Sequence, residues 1–276
     1  MVSLVGAGQK AGSSSERRWP NRKQDDQMTK FTVLSHNVFW FQGSAFPTVT
    51  PPAPDGGILK RLCAIYREVN PDIICLQEIQ NQRTLELVSE HLGMLGCYCP
   101  GTTLHQYGGA VLWYRHVARQ VRTSQKSALK TQRMWQVVEV GGDGHCLRIC
   151  NAHLPSEAQL GPERAAEQRL AELQDLIRSC ETGLDIIVGD FNERPGGPVG
   201  ELLERHGYID AAVLSDRADV PTNIGGGRGD YTWVKRQMCE PMLTYDVAGR
   251  QELACGKAGK EYLSDHLPLW ITVEYR

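Results

Sequence analysis

The chain has no apolar run approaching the roughly 20 residues that a membrane-spanning helix needs. It also lacks an excess of charge: 30 Lys and Arg stand against 32 Asp and Glu, a formal net charge of −2. No global field therefore draws it to nucleic acid or to an anionic membrane, although a local basic groove acts independently of the total. The first residues hold only a short apolar stretch, Val2 to Ala7, which is too short and too poorly flanked for a secretory signal. Matched cysteines are lacking as well. Nine cysteines cannot all pair internally, and neither Cys97-Tyr98-Cys99 nor Cys146 to Cys150 has partners at zinc-site spacing. Cys75 and Cys150 fall in apolar runs, where a thiol acts as a small core residue. The expectation from these absences is a cytoplasmic protein with reduced thiols and no transmembrane segment.

What is present is ordinary core material, 41% hydrophobic and 22% charged residues in a chain of 276. Residues 1–28 are rich in Gly, Ser, Arg, Lys and Asp with no apolar period, and read as a disordered leader. Residues 29–276 continue without a linker, which points to a single domain. Phe31 to Leu34 reads as a strand ending at Ser35-His36-Asn37. The segment from Trp40 to Gly57 holds four prolines and reads as a loop. Ile58, Leu62, Ile65 and Val69 have helical spacing, and Asn70-Pro71 stops that helix. Asp72 to Leu76 is a buried strand ending at Gln77-Glu78, and Leu85, Val88 and Leu92 mark a short helix. Gly109 to Tyr114, Trp135 to Val140 and Leu147 to Cys150 read as strands, the last ending at Asn151-Ala152-His153. Pro162 opens a helix whose apolar stripe is Ala166, Leu170, Leu173 and Ile177. Ile186 to Val188 follows as a strand, then a helix around Val199 to His206. A Gly-rich loop from Gly225 to Gly229 leads to Asp230, and Leu267 to Tyr275 is the last strand. Strands alternate with helices early and succeed each other later, which argues for an α/β protein with mixed sheets.

Polar residues recur where these strands end. Asn37, Glu78, His153, Asp190 and Asn192 each follow an apolar strand, and Asp265 and His266 precede one. An antiparallel last strand brings all seven to one rim. Taken alone, Gly189-Asp190-Phe191-Asn192 is a turn signal, since Asp and Asn suit turns for their backbone geometry. The set of seven is harder to explain that way. Its chemistry suits hydrolysis of a phosphate ester. Hard oxygen ligands such as Glu78, Asp265 and Asn37 favour Mg2+ or Mn2+ over zinc. Such an ion polarises a phosphoryl oxygen during in-line displacement. Asp190 or His266 could activate the water, His153 could donate to a phosphate oxygen, and Asp230 could orient His266.

Six motifs carry a resemblance: Ser35-His36-Asn37, Leu76-Gln77-Glu78, Asn151-Ala152-His153-Leu154, Gly189-Asp190-Phe191-Asn192, Gly229-Asp230-Tyr231 and Ser264-Asp265-His266. In this order they resemble the endonuclease/exonuclease/phosphatase superfamily over residues 30–276. The resemblance implies a four-layered α/β sandwich, two mixed sheets face to face with helices outside. It also implies a divalent-metal phosphodiesterase or phosphatase. Asn37 and Glu78 would then be metal-side residues with Asp265 nearby. Asp190 and Asn192 would orient or activate the water, His266 would pair with Asp230, and His153 would contact the scissile phosphate. Some abasic-site endonucleases of the superfamily carry an aspartate where this chain has Phe39, and commonly Tyr where His153 stands. The pattern is closer to the His-containing branch of pancreatic-type deoxyribonucleases, sphingomyelinases and deadenylases.

The favoured substrate is nucleic acid or a nucleotide. A phosphatase or a sphingomyelin-type phospholipid diesterase is the alternative, and a silent binding module the third reading. Arg115, Arg119, Arg122, Lys126, Lys130 and Arg133 form a run with no acidic residue between Val111 and Val138. Their spacing suits a helix face, whereas the resemblance implies a hairpin. Either arrangement could track a polyanion backbone, and a solvated face is an equal reading. His36 and the histidines at 91, 105, 116, 145 and 206 read as surface or structural.

Overall fold

In a β-strand, successive side chains point to opposite faces, so an apolar run must be covered on both sides. The computed structural model shows how this chain meets that demand. It describes residues 29–44, 52–115, 117, 123–124, 129–142, 145–180, 183–238 and 242–275. The expected leader, and Arg119, Arg122 and Lys126 of the basic run, lie outside the described residues. Among the described residues, no helix is long and apolar enough to cross a membrane.

The strands are β1 (Thr29–Asn37), β2 (Ile73–Ile79), β3 (Leu95–Cys99), β4 (Gly108–Trp113), β5 (Thr123–Ser124), β6 (Met134–Gly142) and β7 (His145–His153). They continue with β8 (Ile186–Asp190), β9 (Tyr208–Asp210), β10 (Asp230–Lys235), β11 (Met242–Val247), β12 (Ala254–Lys257), β13 (Lys260–Tyr262) and β14 (Leu269–Tyr275). The helices are α1 (Gly56–Val69), α2 (Gln82–Leu92), α3 (Glu157–Leu160), α4 (Pro162–Ser179), α5 (Pro198–Arg205) and α6 (Ala211–Leu214). One six-stranded sheet has the order β11-β14-β1-β2-β4-β3, the other β5-β6-β7-β8-β10-β9. Each is mixed: β1 with β2 and β7 with β8 are parallel, the remaining pairs antiparallel.

Alternation along the strands builds three cores. Val33, Ile73, Cys75 and Val111 of the first sheet meet Val138, Ile149, Ile186 and Val188 of the second. Their neighbours Leu34, Ile74 and Leu76 point the other way, onto Leu59, Leu62 and Leu85 of α1 and α2. Cys150 and Ile187 point outward from the second sheet, onto Leu173 and Leu176 of α4 and Leu203 of α5. The result is helix, sheet, sheet, helix: the four-layered sandwich. Cys75 and Cys150 are buried free thiols, and burial pushes Cys75 above its ordinary range.

Near one end of the sandwich the inter-sheet core turns polar. Gln77 Nε2 donates to Asn151 Oδ1 at 2.7 Å and to Ser35 Oγ at 3.2 Å, and Asn151 Nδ2 donates to the Leu76 and Ala110 carbonyls. These bonds span the two sheets just beneath the strand ends, and they satisfy groups that would be costly to bury unpaired.

Helix α4 departs from its expected stripe. Leu170 and Ile177 are only partly covered, and the buried face is Ala165, Arg169, Glu172, Leu173, Asp175 and Leu176. The acidic members face the segment leading into β6 rather than solvent, while Arg169 turns to the Pro155 carbonyl and to Glu157 and Glu193. Glu172 Oε1 accepts from Gln132 N at 2.7 Å and from Gln168 Nε2 at 2.9 Å, and Asp175 Oδ2 accepts from Leu129 N at 3.3 Å. Hydrophobic periodicity is blind to such a face, because its buried residues are polar.

Burial pushes the Glu172 carboxyl up to about 7, despite its hydrogen bonds and the Arg133 charge. A carboxyl raised on folding binds its proton more tightly in the folded state. Stability therefore falls as pH rises from the unfolded value through the folded one, and the loss is complete above it. Glu172→Gln removes this titration while keeping an acceptor. Its stability gain over the wild type should be near zero at pH 4.5 and on the order of 1–3 kcal/mol at pH 8, read as denaturant midpoints at both pH values. An equal difference at both would show that Glu172 does not titrate this way.

Candidate active site

The register brings strand ends together. His153 on β7 sits beside Asp190 on β8, and Asp190 opposite Asp230 on β10. In the other sheet Asn37 ends β1 beside Gln77. Glu78 follows at a bulge between β2 and β4, with φ at 60°. A left-handed non-glycine residue costs roughly 1–2 kcal/mol, and here it turns Glu78 out of the pleat. Gly189 has φ at 139°, and a Cβ there would lie 1.9 Å from the Ala152 carbonyl oxygen. Only glycine lets β7 and β8 approach so closely just before Asp190.

Asn37 links the two sheets: its Nδ2 donates to Glu78 Oε1 at 3.2 Å and to Asp190 Oδ2 at 3.1 Å, while Oδ1 accepts from Phe39 N. Asp190 Oδ1 accepts from Asn192 N at 2.9 Å, and Asn192 Nδ2 donates to the Leu154 carbonyl. His266 Nδ1 lies 3.0 and 2.9 Å from the two Asp230 oxygens, and its Nε2 lies 3.8 Å from Asp190 Oδ2. Thr222 Oγ1 donates to Asp230 Oδ2 at 2.7 Å. His153 Nε2 lies 3.3 Å from Asp190 Oδ2 and 3.9 Å from Glu78 Oε1. All of these are buried except Phe39, Asn192 and His266, which are part-exposed. Asp265, also part-exposed, is close enough for its charge to raise both Glu78 and His266. The eight residues singled out from the sequence thus gather at one rim.

The charges are strongly coupled. Burial pushes Glu78 up to about 7, the Arg133 charge opposing and Asp265 reinforcing it. Burial alone would raise Asp190 too, but the charges of His266, His153 and Arg133 outweigh it and hold that carboxyl below the usual range. Burial works against the His266 imidazolium, yet Asp230, Asp190 and Asp265 raise it well above an ordinary histidine. Burial and the Arg133 charge lower His153 to about 4.

Two sets of atoms could hold a divalent metal. Asp190, Asp230 and His266 offer ligand atoms within 4.8 Å of one another. Most of those atoms already have partners, however, and His266 Nδ1 is committed to Asp230. Glu78 Oε2 and Asp265 Oδ1 are buried with no hydrogen-bond partner. Carboxylate oxygens kept from water without a donor suit a hard cation, so the donor set fits magnesium or manganese best on the Glu78 side.

Three features were not read from the sequence. Arg133 belongs to the basic run, yet it is buried, its guanidinium against His153 Nε2 and 4.4 Å from the Tyr107 ring centroid. The signal was available in principle. Once β6 and β7 form a hairpin with Met134 opposite His153, the residue before Met134 must lie beside that histidine. His36 is the second feature. It is fully buried, its Nε2 donating to the His266 carbonyl and its Nδ1 accepting from Tyr66 Oη at 2.6 Å. Burial lowers it to about 3, so it holds the His266 backbone as a neutral ring. Third, Phe39, Trp40 and Phe41 take φ of 45°, 49° and 54° in succession, a left-handed turn that leads into the segment expected from Trp40 onward to be a plain loop.

A family model described as the endonuclease/exonuclease/phosphatase family matches residues 34–266. No curated protein matches. Among solved structures, truncated Caenorhabditis elegans TDP2 is 20% identical with a TM-score of 0.61, covering 89% of this chain and 98% of that one. The human nocturnin catalytic domain with bound sulfate is 21% identical with a TM-score of 0.63, covering 89% and 95%. D. rerio TDP2 in complex with a single-stranded DNA product is 17% identical with a TM-score of 0.64, covering 90% and 100%. These likenesses are likenesses of fold. The family match spans most of the chain and all six motifs fall within or at its edges, so the chain belongs to the endonuclease/exonuclease/phosphatase family.

Proposed function

We propose that the chain is a magnesium- or manganese-dependent phosphodiesterase that cleaves nucleic acid or nucleotides by in-line attack of water. The observation that carries this reading is the pair of partnerless buried oxygens, Glu78 Oε2 and Asp265 Oδ1, with the Arg133 and His266 charges acting on Glu78 and His153 Nε2 3.9 Å from its other oxygen. Glu78, Asp265 and Asn37 would hold the metal, which would supply charge neutralisation at a phosphoryl oxygen. Asp190 accepts the proton of the attacking water, held in place by the Asn192 amide and by Asn37. His266, fixed by Asp230 through Nδ1, presents Nε2 to the oxygens of the same phosphoryl group. Arg133, with His153 packed against it, donates to the non-bridging oxygens, a task its rigid fork suits. The DNA product held by the D. rerio relative supports nucleic acid as the first substrate to try.

The test is cleavage of single-stranded DNA, single-stranded RNA and duplex oligonucleotides with added magnesium or manganese, and with EDTA. Cleavage that needs the metal and disappears with it removed is the expected result. No cleavage of any oligonucleotide under either metal would overturn the nuclease reading, and phosphomonoesters and phospholipids would become the substrates to assay.

A further inference from the structure

The left-handed turn at Phe39, Trp40 and Phe41 is over-determined rather than loose. Trp40 Nε1 donates to the Gln106 carbonyl at 2.7 Å, and the Trp40 carbonyl accepts from Gln80 Nε2 at 2.7 Å and Gln42 Nε2 at 3.3 Å. Val38 N donates to the Gln77 carbonyl, and Asp55 N to that of Phe41. Trp40 and Phe41 are buried, and Phe39 is the part-exposed member. Backbone conformations of this kind persist only where surrounding structure enforces them, and they concentrate at sites that present a group to a ligand.

The group presented here is an aromatic ring next to the candidate metal site. Phe39 N is bonded to the Oδ1 of Asn37, whose amide links Glu78 and Asp190. From Phe39 a line of rings runs inward: Phe39 to Trp40 at 5.5 Å, Trp40 to Tyr107 at 5.0 Å and Tyr107 to His153 at 5.9 Å between centroids. Arg133 caps the inner end over Tyr107. The inner end is therefore cationic and suited to phosphate, and the outer end is aromatic and suited to a planar ring.

We propose that Phe39 is a specificity residue, a stacking shelf for the nucleobase flanking the scissile phosphate. This rests on the phosphodiesterase reading above and narrows its substrate class to esters carrying a base beside the reacting group. Stacking of this kind tolerates any base, since each has a π face, so the shelf discriminates base from no base rather than one base from another.

The test compares p-nitrophenyl thymidine phosphates, linked at the 5′ or the 3′ oxygen, with the same esters on a tetrahydrofuran sugar lacking the base. For one of the two linkages the wild type should favour the base-bearing ester about tenfold in kcat/KM. Phe39→Ala should bring that ratio close to one, mainly through KM, and Phe39→Tyr should keep it. Because the ratio is taken within one preparation, a change in the folded fraction cancels. A wild-type ratio of one for both linkages, or a ratio that Phe39→Ala leaves unchanged, would overturn the shelf while leaving the phosphodiesterase reading intact. Hydrolysis of neither ester, together with failure on the oligonucleotides, would instead remove the reading on which the shelf depends.

Discussion

Asp190→Asn should lower kcat by a factor on the order of 10³–10⁴, the upper range for removing a positioned proton acceptor. The substitution keeps the shape and the acceptor for Asn192 N, but it places an amide where an ionised carboxylate now meets Asn37, His153 and His266. Three effects add. The acceptor for the water's proton is lost. The negative charge that favours the His266 imidazolium is removed, so His266 shifts downward. Arg133 also loses part of the negative charge that balances it, which lowers stability. Single-turnover cleavage with saturating enzyme reads the chemical step directly, and a urea midpoint for the same variant separates it from unfolding. A variant with activity within tenfold of the wild type would assign the proton to another acceptor.

How much of this was legible in the sequence follows from which residues speak through local pattern. Val33-Leu34, Ile73 to Leu76 and Ile186 to Val188 are apolar on both pleat faces, and each lies in a doubly covered strand. Asn37, Glu78, His153 and Asp190 are legible because a polar group at the end of such a strand can lie only at the sheet rim. Shorter or edge elements left weaker traces. Strands β3, β9 and β11 were not foreseen. Leu95 to Cys99 lacks a clean alternation and gains its place from pairing with β4. Leu243-Thr244-Tyr245-Asp246-Val247 does alternate, a strand signal that was present but not taken up, and pairs with β14. The buried acidic face of α4 and the left-handed turn after Asn37 were invisible for a different reason. Both are held by hydrogen bonds to segments distant in sequence, from Glu172 to Gln132 and from Trp40 to Gln106.

Arg133 shows how composition can mislead. Counted with Arg115 and Lys130, which are exposed, it looks like part of a solvated basic face. Its guanidinium instead sits inside the cluster, against the same His153 nitrogen, Nε2, that lies 3.3 Å from Asp190 Oδ2. The two carboxylates of the proposed metal site, Glu78 and Asp265, need a counter-charge that the net composition does not advertise, and Arg133 lowers Glu78 where burial and Asp265 raise it.

Arg133→Met therefore tests the cluster from its cationic side. Methionine fills much of the same volume but offers no donor and no charge. Removing one donor aimed at developing charge lowers rates by about 10²–10³, and this is the loss expected in kcat/KM. Most of it should appear in kcat if the guanidinium meets the phosphoryl oxygens more closely in the transition state than in the bound substrate. A change of pH dependence should accompany it. Burial and Arg133 together hold His153 at about 4. Without the guanidinium only burial remains as the main downward force, so the His153 value rises, and its protonation enters the weakly acidic range. The acid limb of the pH–rate profile should move to higher pH in the variant. Arg133→Lys separates charge from geometry: it keeps the cation, loses the planar fork, and should recover the profile while leaving a deficit of about tenfold. If both variants lose less than about threefold and keep the wild-type profile, Arg133 only fills space beside Tyr107. In that case the donor to the phosphoryl oxygens is His153 itself, whose second nitrogen, Nδ1, is buried without a partner.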